Sequence, residues 1–216
     1  MLRYLSAASV ALLLCVPAIA ATDSPGTGIL QGSPRAAHRL TIVSAFSCPF
    51  CRILESQSTA ELQQKWIPKG VQLEIVPAKI GQTDYASTVA AACGPVSGYL
   101  KRSTVLFRAQ SSIQANWNAA PEAARNAAMT KPNGTGLEPV ARLAGLYDLA
   151  PALGISQQQL RQCLTDPQRQ QQPAKWDRLA ATKWKTVATP SVFLDGKKVG
   201  STWADAQAAL VHAVAK

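Results

Sequence analysis

Two cysteines separated by two residues, Cys48 and Cys51, stand between an apolar segment and a helix-forming segment. The upstream residues 39–46 are rich in apolar and β-branched side chains and predict a buried strand. The downstream residues 52–62 repeat apolar side chains at helical spacing and predict a helix. Pro49 suits the first turn of that helix, where a missing N–H loses no partner. The sequence therefore places Cys48 where a strand leads directly into the N-terminus of a helix.

This position determines the chemistry that we expect of Cys48. Unpaired N–H groups and the positive end of the helix dipole favour a thiolate over a thiol. We therefore expect the pKa of Cys48 to fall from about 8.5 into the range of about 3.5–7. Cys51, one turn further in, is expected to be less exposed and to act as the resolving thiol of a thiol–disulfide exchange. Because zinc sites use the same spacing, the motif alone does not decide between exchange and metal binding.

The first 20 residues have the pattern of a signal peptide. A basic residue is followed by apolar residues 4–16 and by a small-x-small cleavage pattern at 18–20. The apolar stretch is too short to favour a membrane span. A lipid anchor at Cys15 is a weaker alternative, because Leu14 stands where lipoprotein signals carry a small side chain. We therefore expect export to the periplasm and removal of residues 1–20.

Removal of the signal leaves 216 − 20 = 196 residues and four cysteines. Cysteines of exported proteins are normally oxidised or exchanging, and an even number fits one catalytic pair and one structural bridge. Cys93 and Cys163, 163 − 93 = 70 positions apart, are therefore expected to form a structural disulfide. A second redox pair and two free buried thiols are the alternatives. Since only one closely spaced cysteine pair exists, we expect no metal site.

The chain is basic, with a formal net charge of +10. Such a charge can indicate nucleic-acid binding. However, the basic residues are scattered, and no basic helix with interleaved aromatic side chains is present. We expect no nucleic-acid binding, and the charge is better explained as steering toward anionic membranes or acidic clients.

A second pattern lies far down the chain, where Thr189-Pro190 opens an apolar stretch that predicts a strand. An Asp-Gly turn and a further strand follow, and Pro190 is tolerated because it begins its strand. The proline lies 190 − 51 = 139 positions after the second cysteine. The intervening chain predicts several helices, among them 99–113 and 174–184, with a helix breaker at 116–120.

The strand-CPFC-helix pattern and the distant Thr189-Pro190 hairpin together resemble the thioredoxin superfamily. The helices between them, with the Leu-Gly, helix and Cys-Leu-x-Asp passage at 153–166, resemble the insertion of DsbA-like periplasmic oxidoreductases. This resemblance implies an α/β thioredoxin fold, a central mixed sheet flanked by helices, with an inserted all-helical domain. The implied bounds are 21–83 and 184–216 for the thioredoxin-like domain and 84–183 for the insertion.

The resemblance also implies a site and an activity. Cys48 and Cys51 would be the catalytic pair, supported by Pro49 and Phe50 and by a cis bond between Thr189 and Pro190. Thr189 would offer backbone hydrogen bonds to a client peptide. The implied protein is a monomeric disulfide oxidase for folding exported proteins that needs no small cofactor. A quinone-linked, DsbB-like membrane partner would reoxidise it.

Two positions depart from that family. DsbA-type proteins carry a buried acid six residues before the first cysteine, where this chain has Ile42, and the CPFC motif lacks their histidine. Glu55 is a candidate proton relay in place of the acid, and a solvated helix glutamate is the alternative. With less stabilisation of the thiolate, we expect an oxidant milder than the strongest members of the family.

Two other functions stay open. A reductase or isomerase of the same fold is compatible with Thr189, since isomerase-like relatives often have threonine there. Such isomerases resemble dimers built through an N-terminal domain, and the 39 − 21 = 18 positions before Arg39 are too few for a domain of roughly 50 residues. The second open function is that of a non-enzymatic chaperone, which would keep its activity after Cys48→Ser.

Overall fold

The computed structural model describes residues 27–130 and 137–215. The signal peptide predicted at 1–20 lies outside the described residues. The regular elements are β1 (Ile29–Gln31), β2 (His38–Ser44), α1 (Pro49–Glu61) with a π-helical continuation (Leu62–Trp66), β3 (Val71–Pro77), α2 (Asp84–Ala92), a 3₁₀ turn (Val96–Gly98), α3 (Tyr99–Arg108), α4 (Gln110–Ala119), α5 (Glu122–Thr130), α6 (Leu137–Leu143), α7 (Ala150–Leu153), α8 (Gln157–Thr165), α9 (Pro167–Thr182), β4 (Ser191–Leu194), β5 (Lys197–Gly200) and α10 (Trp203–Val214).

The strands form one mixed sheet in the order β1-β3-β2-β4-β5. β2 and β3 are parallel because the chain crosses over through α1, whereas each of the other neighbouring pairs is antiparallel. In this register Ile42 of β2 lies between Ile75 of β3 and Val192 of β4. The sequence did not indicate β1, because three residues are too few to show a strand pattern.

Helices cover both faces of the sheet. Successive side chains of a strand point to opposite faces, and Ile42 accordingly belongs to the main core, which also contains Leu54 of α1 and Leu210 of α10. Val43 points the other way and packs in a smaller core with Ala180 of α9. Each fully buried aliphatic side chain contributes about 1.5–3 kcal/mol. Helix α1, which contains Cys51, is therefore anchored on a well-packed sheet.

All regular structure described between β3 and β4 is helical. The predicted architecture, a mixed sheet flanked by helices with further helices inserted, is confirmed. The single helix predicted at 99–113 is wrong, because the chain breaks at Ala109 and resumes as α4. The breaker predicted at 116–120 is also wrong, since α4 continues to Ala119. Trp117 is buried there, and tertiary packing outweighs weak local helix propensity.

The helix predicted at 174–184 begins earlier than expected, at Pro167, and includes Pro173 in its interior. An interior proline costs about 3 kcal/mol. Asp166 caps the helix by accepting hydrogen bonds from the N–H groups of its first turn, and the burial of Trp176 adds further stabilisation. Within the two described ranges, no helix combines the length and apolar character needed to cross a membrane.

Candidate active site

Cys48 is the N-cap residue of α1, with an extended backbone (φ −82°, ψ 117°). Its Sγ accepts a hydrogen bond from the N–H of Cys51 at 3.3 Å. Pro49 occupies the first turn of the helix. The N–H of Cys48 closes a tight turn by donating to the carbonyl oxygen of Ala45 at 3.1 Å. The short path from β2 into α1 thus directs the sulfur toward the free amides of the helix.

The loop before β4 lies beside this sulfur. The Sγ of Cys48 is 3.2 Å from the carbonyl oxygen of Thr189, and the Thr189–Pro190 peptide bond is cis. Pro190 is buried, whereas Thr189 is only partly covered. The structure therefore brings Thr189 and Pro190 to the cysteine pair, although Cys48 and Thr189 are 141 positions apart in the sequence.

The two cysteines are free thiols, and their environments push their pKa values apart. The side chain of Cys51 lowers the pKa of Cys48 to about 6, helped by Thr189 and by the N–H groups of Cys51 and Phe50, although burial opposes this shift. Burial and the hydrogen bond with Cys48 raise the pKa of Cys51. At neutral pH the pair therefore holds a nucleophilic thiolate at Cys48 and a protonated thiol at Cys51.

Exposed apolar side chains lie next to both parts of the site in sequence, the cysteine pair and Thr189-Pro190. Phe50, between the cysteines, is 69% exposed, and Ile53 in the next turn of α1 is 49% exposed. Val187, two positions before Thr189, is 95% exposed. The sequence pointed to Phe50 but not to Ile53 or Val187, because neither lies within the motif.

A small cavity of about 30 Å³ lies behind Cys51, lined by that cysteine and by Ile42, Ser44 and Glu55 among others. Such a volume holds about one water molecule. Glu55 is half-buried, and its carboxylate accepts hydrogen bonds from the hydroxyls of Thr59 and Thr104. Glu55 is therefore not a freely solvated helix residue. Ile42 stands where the resembled family carries an acid, and the acidic residue that lines this cavity is Glu55 of α1.

Two buried polar residues that the sequence did not indicate hold the turn before α1. Asp84, at the start of α2, accepts hydrogen bonds from the backbone N–H and the hydroxyl of Ser47 at 2.7 and 2.8 Å. Burial raises the pKa of Asp84. Gln110 of α4 donates to the carbonyl oxygens of Phe46 and Cys48 at 2.6 and 2.9 Å. Neither residue belongs to a recognisable motif, so no local pattern could have identified them.

The other two cysteines of the described residues, Cys93 and Cys163, lie elsewhere in the helical part. The Sγ atoms of Cys93 and Cys163 are 2.07 Å apart, which joins the end of α2 to α8. Arg102 of α3 donates to the carbonyl oxygens of Ala91 and Pro95 on either side of Cys93. In the described part of the chain, no three or more His, Cys, Asp or Glu side chains are grouped so that they could hold a metal ion.

Comparison with known proteins agrees with this arrangement. A family model described as thioredoxin matches residues 24–212. A protein-disulfide isomerase from Novosphingobium aromaticivorans superposes with a TM-score of 0.76 at 22% identity, covering 89% of this chain and 99% of the other. Wolbachia pipientis alpha-DsbA1 superposes with a TM-score of 0.66 at 17% identity, covering 94% of each chain.

A third solved structure, BdbD from Bacillus subtilis, has a TM-score of 0.59 at 16% identity and covers 88% of this chain and 94% of its own. No curated protein matches the chain by sequence. The family match spans most of the chain, and the solved structures share its sheet and inserted helices. The chain therefore belongs to the thioredoxin family, with the fold of the DsbA-like thiol-disulfide oxidoreductases.

Proposed function

We propose that this protein is a periplasmic thiol:disulfide oxidoreductase that introduces disulfides into exported proteins through Cys48 and Cys51. The observation that carries the proposal is the lowered pKa of Cys48, about 6, beside the raised pKa of Cys51. A stabilised thiolate at Cys48 favours the reduced form of the pair, which makes the corresponding disulfide oxidising. The same thiolate is a good leaving group when a mixed disulfide is resolved.

The proposed reaction transfers two electrons from a client dithiol to the protein. A client thiolate attacks the Sγ of Cys48, the bond between Cys48 and Cys51 breaks, and Cys51 leaves as a thiolate that takes up a proton. A second client thiolate then attacks the client sulfur of the mixed disulfide. Cys48 leaves as a thiolate, and the client carries the new disulfide. A quinone-linked membrane partner is proposed to reoxidise the monomeric protein.

We propose Glu55 as the proton relay for Cys51. The high pKa of Cys51 means that its thiolate needs a proton as soon as it leaves. Glu55 and Cys51 line the same cavity, and Ser44 lines it as well. A water molecule in this cavity would connect the carboxylate to the sulfur.

Isomerisation of wrongly paired disulfides is a second candidate function. The structure from Novosphingobium aromaticivorans, which has a TM-score of 0.76, is described as a protein-disulfide isomerase. An isomerase needs a reduced Cys48 in the cell, whereas an oxidase needs the Cys48–Cys51 disulfide. The redox state of this pair in the exported protein therefore separates the two functions.

The deciding experiment measures the equilibrium of the Cys48–Cys51 pair with glutathione and its redox state in cells. A potential near roughly −120 to −180 mV with the pair found oxidised supports the oxidase. A potential near about −270 mV with the pair found reduced supports a reductase or isomerase. Activity that survives in Cys48→Ser would instead overturn the exchange mechanism and favour a chaperone.

A further inference from the structure

The amide of Gln110 reaches the active-site turn from a helix of the insertion. Its Nε2 donates to the carbonyl oxygen of Phe46 at 2.6 Å and to that of Cys48 at 2.9 Å. A side-chain amide has two N–H donors, so one group holds carbonyls on both sides of Ser47. Gln110 is 6% exposed and is the first residue of α4. These contacts are long-range, spanning 62 and 64 positions.

The opposite side of the same turn is held by Asp84. Its carboxylate binds the N–H and the hydroxyl of Ser47, and it also accepts from the N–H groups of Ile80 and Gly81 at 2.8 and 2.6 Å. Asp84 is fully buried. Two side chains therefore hold the turn. In the sequence both come after β3 and before β4, outside the strand-CPFC-helix segment itself.

Gln110 acts where α1 begins. The carbonyl oxygen of Cys48 also accepts the N–H of Arg52 at 3.2 Å, and the Sγ of Cys48 accepts the N–H of Cys51 at 3.3 Å. A shift of the Cys48 backbone would therefore change the alignment of the sulfur with the amides that stabilise its negative charge. Hydrogen bonds weaken steeply with poor angle and distance. Preorganised donors stabilise charge best when surrounding contacts fix them.

We propose that Gln110 is a positioning residue for Cys48, which holds the nucleophilic sulfur on the N-terminus of α1 through the carbonyls of Phe46 and Cys48. The proposal rests on the proposed exchange function of Cys48. It assigns the inserted helices a role in the chemistry, since the insertion supplies the side chain that sets the geometry of the thiolate.

Gln110→Met tests this role, because methionine has a similar length, carries no charge and cannot donate. The matched control is Gln170→Met in α9, since Gln170 is equally buried and its Nε2 donates to the carbonyl oxygen of Leu164 at 2.7 Å. The reduced forms of both variants and of the wild type are titrated by thiolate absorbance. Each protein is also equilibrated with glutathione, and its urea unfolding is recorded.

We expect the pKa of Cys48 to rise by about 0.5–1 unit in Gln110→Met, which corresponds to a partly lost hydrogen bond to a charged group. The equilibrium with glutathione should shift about 3- to 10-fold toward the disulfide form of the protein. Gln170→Met should lose stability without either change. If Gln110→Met does not fold, Gln110→Asn, which keeps the amide but shortens its reach, should shift the titration in the same direction.

Two outcomes would overturn the proposal. Equal titrations of the wild type and Gln110→Met, with only stability lowered, would make Gln110 a purely structural residue. An equal shift in Gln170→Met would show that general loosening of the fold is the cause. A wild type without an acidic thiolate or any exchange would instead refute the proposed function, and the positioning role with it.

Discussion

The Sγ of Cys48 lies 3.2 Å from the carbonyl oxygen of Thr189, although the two residues are 141 positions apart. The sheet explains this proximity. β2 and β4 are antiparallel neighbours, and Val43 near the end of β2 pairs with Ser191 at the start of β4. The segment leaving β2 and the segment entering β4 therefore meet at the same end of the sheet.

The lowered pKa of Cys48 predicts how the stability of the reduced protein depends on pH. The pKa falls from an ordinary value of 9.0 to about 6 on folding. The thiolate therefore adds stability that is complete above the unfolded pKa and is lost as the pH falls through the folded one. We expect the unfolding free energy of the reduced form to rise, relative to the oxidised form, between about pH 6 and 9.

Urea unfolding of both redox forms across this pH range checks the prediction. Cys51→Ala is the informative variant, because the side chain of Cys51 makes the largest contribution to the shift. Its pH dependence should be weaker than that of the reduced wild type. A pH-independent difference between the two redox forms would contradict an acidic Cys48.

Glu55→Gln should slow the step in which Cys51 leaves. The variant keeps the shape of the side chain but removes the group that exchanges protons, and general acid–base catalysis typically contributes a factor of about 100 or more. We expect at least about a tenfold slower reaction with a client dithiol at neutral pH, since water can partly substitute. Stopped-flow fluorescence at several pH values measures the rate of this reaction.

Glu61→Gln provides the control for that experiment. Glu61 lies at the end of the same helix and accepts hydrogen bonds from Trp203 and Gln207, but it does not line the cavity behind Cys51. Similar rates for the wild type and Glu55→Gln, with an unchanged pH profile, would remove Glu55 from the relay.

The Cys93–Cys163 bridge should stabilise the fold without taking part in exchange. A crosslink over a separation of 70 positions restricts the unfolded chain by about 4 kcal/mol on entropic grounds. We expect the double variant Cys93→Ala/Cys163→Ala to lose a comparable unfolding free energy and to keep the Cys48–Cys51 exchange. Urea unfolding and an exchange assay measure the two effects. Peptide mapping that finds both thiols free in the wild type would refute the bridge.

The fully buried Glu74 should be a strong stabilising residue that takes no part in the proposed exchange. Its carboxylate accepts from the hydroxyl of Thr41, its partner across β2 and β3, at 2.9 Å and from the N–H of Gly28 at 2.8 Å. Glu74→Leu leaves both donors unpaired and should cost about 2–4 kcal/mol. Adding Thr41→Val removes one orphaned hydroxyl and should recover part of this loss. Strictly additive effects in urea unfolding would show that the pair is not coupled.

Much of the fold followed from local patterns, and the errors have a common cause. The β2-to-α1 transition and the β4–β5 hairpin were predictable because each depends on neighbouring residues. The break at Ala109 and the continuation of α4 through Trp117 were not, since tertiary packing selects where a moderately helical sequence bends. Pro173 likewise lies in a helix that local rules would have ended.

The sequence by itself determined which atoms can react, because two cysteines at the N-terminus of a helix differ in acidity for reasons confined to a few residues. Only the tertiary structure decided what surrounds them. Gln110 binds the backbone of Cys48 from 62 positions away, and Asp84 binds that of Ser47 from 37 positions away. Glu55 and Cys51 line one cavity, which the packing of separate elements creates. Such contacts depend on how helices pack together, and no local pattern encodes that.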